Sequence, residues 1–217
     1  LKPFFTIHAI GGMVLPTSNK PSLIFFGMKP FAYCPHCAVP LNETFIDGRN
    51  RMHCLRCGWI QYINPLPVTL ALTVNRNNEL LVIRRAHEPA LNEWALPGGF
   101  LEAGERPEEG CLRELYEETS LEGSIDRLIG VYHRESELYG SLVVIAYRVI
   151  AAHERIEINH EVFEAGFYPP EHLPDVRLQL HRQIIEESLW PLQTTMVLPV
   201  SSPHSEGKTG SPASDTL

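Results

Sequence analysis

Two Cys-x-x-Cys pairs, Cys34/Cys37 and Cys54/Cys57, stand sixteen residues apart, and a segment built around them has few ways to fold. Each pair sets two sulfurs on one tight turn. Two such turns facing each other close a tetrahedron that suits Zn²⁺, with Zn–S near ~2.3 Å and no open position. Gly58 follows the second pair and suits the exit of such a turn. Residues 31–63 are too few for a core of their own, so they are expected to form a small zinc ribbon stabilised by its metal. The cysteines total five, an odd number. That count and the close pairing fit metal binding in a reducing, cytoplasmic compartment better than a secreted disulfide framework. His36 and His53 flank the pairs as alternative ligands. Four thiolates need no substitute, and exposed loop histidines are the simpler reading.

The whole chain has 217 residues, 44% of them hydrophobic and 20% charged, which leaves room for one ordinary domain beside the ribbon. Its 18 basic against 26 acidic side chains give a formal charge of −8. That balance argues against a protein that coats nucleic acid, because such binding rests on neutralising phosphates with basic groups. No run of about 18 apolar residues offers a membrane span. The ribbon carries Arg49, Arg51 and Arg56 against Glu43 and Asp47, and four thiolates around Zn²⁺ cancel that excess. A bracing or homodimer-forming role is therefore expected of it.

Residues 1–30 show no regular period and read as an N-terminal extension. Phe4 to Ile10 makes a poor signal peptide, and Met28 looks like a natural start. Residues 191–217, rich in Ser, Pro, Gly and Thr, read as a flexible tail. Asn64-Pro65-Leu66-Pro67 is a stiff link. Residues 66–190 follow as an alternating α/β domain. The run from Val68 to Val74 reads as a strand, Asn75 to Asn78 as a turn, and Glu79 to Arg85 as the returning strand. Pro107 to Thr119 is helical by pattern, with Pro in the first turn. Strands are expected near 125–132 and 141–151, and a closing helix over 178–190.

The chemistry concentrates on the first of these helices. Glu114, Glu117 and Glu118 stand at i, i+3 and i+4 and so share a face. Like charges at this spacing repel, and near a helix C-terminus they also oppose the macrodipole. A solvated acidic face is one reading. A bound divalent cation is the other, and it reverses both penalties. The surroundings favour the cation: Leu96-Pro97-Gly98-Gly99 brings a strand to a turn where backbone can approach a ligand. Gly104 frees the loop ahead of the helix, and Glu105 can pair with Arg113.

The pattern Gly99-x5-Glu105-x7-Arg113-Glu114-Leu115-x-Glu117-Glu118-x-Ser120-Leu121 resembles the Nudix box over 23 residues. Ser120 stands where that family has Gly, at a position that usually caps a helix in the left-handed region. With the ribbon and the Asn-Pro link, residues 31–190 resemble the zinc-ribbon branch of the Nudix hydrolases, which includes NADH pyrophosphatases and plant FAD pyrophosphatases. The resemblance implies an α/β/α sandwich with a mixed sheet behind a small zinc ribbon. It also implies hydrolysis of the diphosphate in a small-molecule nucleoside diphosphate linked to another moiety. Glu114, Glu117 and Glu118, with a main-chain carbonyl at Gly98 or Gly99, would bind Mg²⁺ or Mn²⁺. Glu117 or Glu118 would take the proton from the attacking water, and Glu105 with Arg113 would form a structural pair.

Glu161 to Pro169 resembles the segment that delivers one more acid from outside the box. Glu164 is the favoured residue and Glu161 the reserve, beside the reading of a polar strand-edge Glu. Trp94 could stack on a base or pack in the core, and Arg84 and Arg85 could reach a phosphate or remain solvated. The Ser-Gln-Pro-Trp-Pro-Phe array of NADH pyrophosphatases does not occur at Tyr132 to Tyr139. Ser136 stands where many ADP-ribose pyrophosphatases have Pro. FAD, ADP-ribose, NADH and nucleotide sugars all stay open as substrates. So does a non-catalytic sensor or adaptor that uses the ribbon for interaction.

Overall fold

In the computed structural model, which describes residues 30–189, the β-branched run beginning at Leu66 becomes the central strand of the larger unit. The expectations for residues 1–29 and 190–217 lie outside the described residues. Two short strands come first: β1 (Asn42–Ile46) and β2 (Arg49–His53), an antiparallel hairpin. Their turn is Asp47-Gly48, with both residues at positive φ (52° and 78°). That is the two-residue turn whose twist matches a hairpin.

The main sheet holds seven strands. These are β3 (Leu66–Val74), β4 (Leu80–Arg85), β5 (Trp94–Ala95), β6 (Gly98–Phe100), β7 (Gly123–Ser136), β8 (Gly140–Ala151) and β9 (Val162–Tyr168). Helix α1 (Pro107–Thr119) lies between β6 and β7, and α2 (Gln179–Leu189) closes the described chain. The order is β5-β4-β3-β8-β7, with β6 on β3 and β9 on β4. Only β3 and β8 run parallel, so the sheet is mixed. β3 meets β4 only at Val74↔Leu80 and then diverges. The gap lets β6 pair along Val68–Leu70.

Alternation along β3 sends its side chains to opposite layers. Leu70, Leu72 and Val74 join Val144, Ile184 and Ile185 under α2. Ala71 joins Cys111, Leu115, Leu121 and Val149 under α1. A strand covered on both faces reads as a nearly unbroken apolar run, as Val68 to Val74 does. The α/β/α layering with a mixed sheet matches the sequence expectation. So do the bounds of α1, at Pro107 and Thr119. No helix among the described residues is long and apolar enough to cross a membrane.

Candidate active site

Helix α1 starts where Pro107 costs no hydrogen bond and Glu109 accepts the Arg106 N–H at 3.1 Å. Glu108 and Glu109 sit in its first turn, where the dipole favours them, and its last turn holds no basic residue. Ser120 ends it in the left-handed region (φ 55°), its N–H donating to Tyr116 O at 2.7 Å. A residue with a Cβ therefore takes the conformation that suits Gly.

Arg113 organises the middle of the helix. It holds both oxygens of Glu105 (2.8 and 3.0 Å) and the Phe100 carbonyl (3.0 Å). Its other terminal nitrogen donates to Glu114 (2.8 Å) and Glu117 (3.1 Å). The Glu102 N–H also donates to Glu105. Hydrogen bonds from Arg113 and then Glu102 hold the Glu105 carboxyl below its usual range. The Glu105–Arg113 pair therefore ties the loop after β6 to α1.

Glu118 is the acid with no such partner. It is 3% exposed, and its one polar contact is the Gly98 N–H at 2.9 Å. Burial pushes its carboxyl up to about 8. The charges of Glu114 and Glu161 add to the rise, and the Gly98 N–H and Arg85 only partly oppose it. Glu114 is raised as well, first by burial, against the pull of Arg113. Glu117 is half exposed and leans on Arg113. Among the described residues only the four cysteines form a group of three or more whose ligand atoms all lie within 4.8 Å of one another. Glu114 and Glu117 share one Arg113 nitrogen, while Glu118 meets the Gly98 N–H. The donor set still fits a hard cation: carboxylate oxygens, one of them desolvated and short of positive charge, beside a glycine backbone.

Gly98 is required by geometry, and Gly99 leaves the space that the Glu114 carboxyl occupies. A Cβ on Gly98 (φ 151°) would lie 2.1 Å from Thr69 O, and one on Gly99 would lie 2.6 Å from the Glu114 carboxyl. Gly98→Ala is expected to cost more than about 3 kcal/mol, through main-chain overlap and positive φ together. A thermal melt within 2 °C of wild type would contradict this.

The structure does not bring Glu164 to this cluster. Phe167 packs under α1, so Glu164, three residues earlier on β9, faces the opposite side. There Arg84 holds it at 3.2 Å. Glu161 lies beyond a bulge opposite Arg84/Arg85, fixed by Asn159 Oδ1 and by the Ala86 N–H. Its charge reaches both Glu114 and Glu118. Trp94 packs edge-on against Tyr168 at 5.9 Å and belongs to the core under α2. Arg84 is committed to Glu164 and Asn92. Arg85 contacts Pro89 O and His87, and its charge is felt at Glu118 and at His181. His181 accepts the Leu96 N–H on Nδ1 at 3.0 Å, two residues before Gly98. No local motif marks His181, since it reaches Leu96 only through the fold.

In the ribbon, the two turns repeat one geometry. Ala38 N–H donates to Cys34 O and Gly58 N–H to Cys54 O, both at 2.9 Å, with Ala38 and Gly58 at positive φ. Cys34 and Cys57 sulfurs lie 3.5 Å apart, Cys37 and Cys54 sulfurs 3.4 Å. A Zn–S tetrahedron has edges of about 3.8 Å, so the residues fit that ion. His36 instead lies beside Trp59, at a ring distance of 6.1 Å.

A family model for the NUDIX domain matches residues 64–188. An ADP-ribose pyrophosphatase of Methanocaldococcus jannaschii is 31% identical over 127 residues, covering 58% of this chain and 74% of that protein. An NAD-capped RNA hydrolase, NudC, of Chromobacterium violaceum is 38% identical over 89 residues, covering 41% of this chain and 32% of its own length. Further curated relatives are likewise matched over less than half of their length. A NUDIX hydrolase crystal structure from Nitrosomonas europaea superposes with a TM-score of 0.65 at 24% identity, covering 72% of this chain and 92% of that one.

Proposed function

Because this chain belongs to the Nudix family, we propose that it hydrolyses the diphosphate bond of a nucleoside diphosphate linked to another moiety. The substrate class is that of ADP-ribose, FAD, NADH or a nucleotide sugar. The observation that carries the reading is Glu118, a buried carboxyl against the Gly98 N–H that burial and neighbouring acids push up to about 8. Glu114, Glu117 and Glu118, with a main-chain carbonyl at Gly98 or Gly99, hold Mg²⁺ or Mn²⁺. When bound, the ion neutralises the diphosphate and stabilises the leaving phosphate. Arg113 sets the rotamers of Glu114 and Glu117, and Glu105 fixes Arg113. Glu118 takes the proton as water oxygen attacks phosphorus and the bridging P–O bond breaks. Held ionised when a dication is bound, its carboxyl suits a base, and half-exposed Glu117 is the lesser candidate. Glu161, in place of Glu164, is the acid from outside the box.

Two substitutions test that last assignment. With Mg²⁺ or Mn²⁺ and the four substrate types, Glu161→Gln is expected to lower kcat by about 10- to 100-fold, as loss of one charge-placing ligand does. Glu164→Gln should stay within threefold. Equal effects, or the reverse order, would return the role to Glu164.

We assign Zn²⁺ to Cys34, Cys37, Cys54 and Cys57, and with it the zinc-ribbon branch of the family. The ribbon braces the chain or joins two copies in a reducing, cytoplasmic setting. Sedimentation of the full chain before and after removal of zinc reads the second role as a change in mass.

A further inference from the structure

Between β5 and β6 the chain changes partner strands. Ala95 still pairs with Ile83 of β4, and Gly98 already pairs with Leu70 of β3. Leu96 and Pro97 make the crossing. Pro97 has no N–H to offer, and its carbonyl accepts the Ala71 N–H at 2.8 Å. The Leu96 N–H is therefore the one main-chain donor of the crossing, on a residue that is 2% exposed. A buried donor left without an acceptor is costly. Here the acceptor is a side chain, Nδ1 of His181 on α2, at 3.0 Å.

Helical spacing makes this contact. Ile184 and Ile185 stand one turn beyond His181 and share a hydrophobic cluster with Leu96. One face of α2 thus packs the Leu96 side chain and satisfies its N–H. Only a ring nitrogen without a proton can accept, so Nε2 carries the ring proton. Burial first, then the charges of Arg85 and Arg134, hold His181 down to about 4, and near neutral pH the ring keeps its acceptor. Two residues on from Leu96, the Gly98 N–H donates to Glu118 at 2.9 Å. The chain runs so close to β3 there that a Cβ on Gly98 would lie 2.1 Å from Thr69 O.

We infer that His181 is a positioning residue of the dication site: its bond to the Leu96 N–H sets the main chain at Gly98, and through Gly98 it sets Glu118. The inference deepens the hydrolase reading and rests on it. His181 acts through Leu96 and touches neither the ion nor the substrate in this role. It lies on α2, far along the chain from the acids of α1.

The test turns on where an acceptor stands. Asn carries Oδ1 on Cγ, as His carries Nδ1, so His181→Asn keeps an acceptor near its place, whereas His181→Phe keeps a ring and removes the acceptor. In the full chain with zinc kept, Mn²⁺ affinity read by paramagnetic resonance should fall by about tenfold or more in His181→Phe, as loss of a group that orients a ligand does. In His181→Asn it should stay within about threefold. In protein free of Mg²⁺ and Mn²⁺, exchange of the Gly98 amide proton should quicken in His181→Phe while that of Ile184 does not, which a general loss of stability would not produce. In turnover, His181→Phe should lower kcat by about tenfold or more with KM within about threefold, and His181→Asn should restore kcat. Wild type supplies a reading that does not depend on a variant's folding: added Mg²⁺ should move the Nδ1 resonance of His181 together with the Leu96 amide. The inference is overturned if His181→Phe takes up Mn²⁺ as wild type does, if His181→Asn is as weak as His181→Phe, or if Mg²⁺ leaves Nδ1 unmoved. If the Mn²⁺ affinities follow the expected order while none of the four substrate types is cleaved, the hydrolase reading fails and the positioning role stands.

Discussion

Glu118→Gln is expected to lose turnover by about 10³-fold, within the range of a lost general base or metal ligand, and to keep its fold. It should also change how stability depends on pH. The Glu118 carboxyl is raised from 4.5 to about 8, so the folded state binds the extra proton between those values. Stability of protein free of Mg²⁺ and Mn²⁺ therefore falls as pH rises through that window. His181 works in the other direction. Its folded value near 4 lies below the ordinary 6.5, so stability falls as pH drops from 6.5 to 4, by up to about 3 kcal/mol. Above pH 6.5 His181 no longer contributes, and the Glu118 carboxyl sets the slope due to the site. Lowering pH from 8.5 to 6.5 should add about 2 kcal/mol, or roughly 4–8 °C in Tm. Glu118→Gln should abolish that gain, and saturating Mg²⁺ should abolish it in wild type. A flat wild-type profile over these pH values would mean that Glu118 is not desolvated.

Removal of zinc is the second large effect. The ribbon core is Cys34, Leu41 and Cys54, with Cys37, Val39, Met52 and Trp59 packed around them. Three of those seven side chains are the cysteines assigned to zinc, so the hydrophobic share of its stability is small. Ligation of a structural Zn²⁺ supplies about 10–16 kcal/mol in small zinc domains, far above what such a core contributes. A chelator strong enough to strip zinc should open residues 31–63 to proteolysis, and Cys54→Ser should do the same without chelator. Unchanged protection of Arg49, Arg51 and Arg56 from trypsin would contradict a structural zinc.

The parts of the fold legible in the sequence are those with a period or a cap. Pro107 and the position of Ser120 bracket α1, and the apolar run from Leu66 announces a strand buried on both faces. β5 and β6 are two and three residues long, too short for alternation to register. The ribbon hairpin hides behind cysteine spacing, although Asp47-Gly48 carries its turn. Within the site, Glu105 and Arg113 are legible because their spacing bridges one loop–helix junction. Glu164 and Glu161 are not separable in sequence, because the pairing of β9 sets Glu164 against Arg84 and a bulge at Arg84/Arg85 then parts Glu161 from that register. His181 is silent for a related reason: it sits on α2, and only the fold brings it to the Leu96 N–H.

The central claim is that the carboxylates of α1 hold divalent cations on which a diphosphate is cleaved. Paramagnetic resonance titration of Mn²⁺ reads it most directly. Wild type should remove free Mn²⁺ from solution, and should bind more when ADP-ribose is added. Paired Glu114→Gln and Glu118→Gln substitutions should return the free signal to that of buffer. Equal uptake by wild type and the doubly substituted chain would contradict the account.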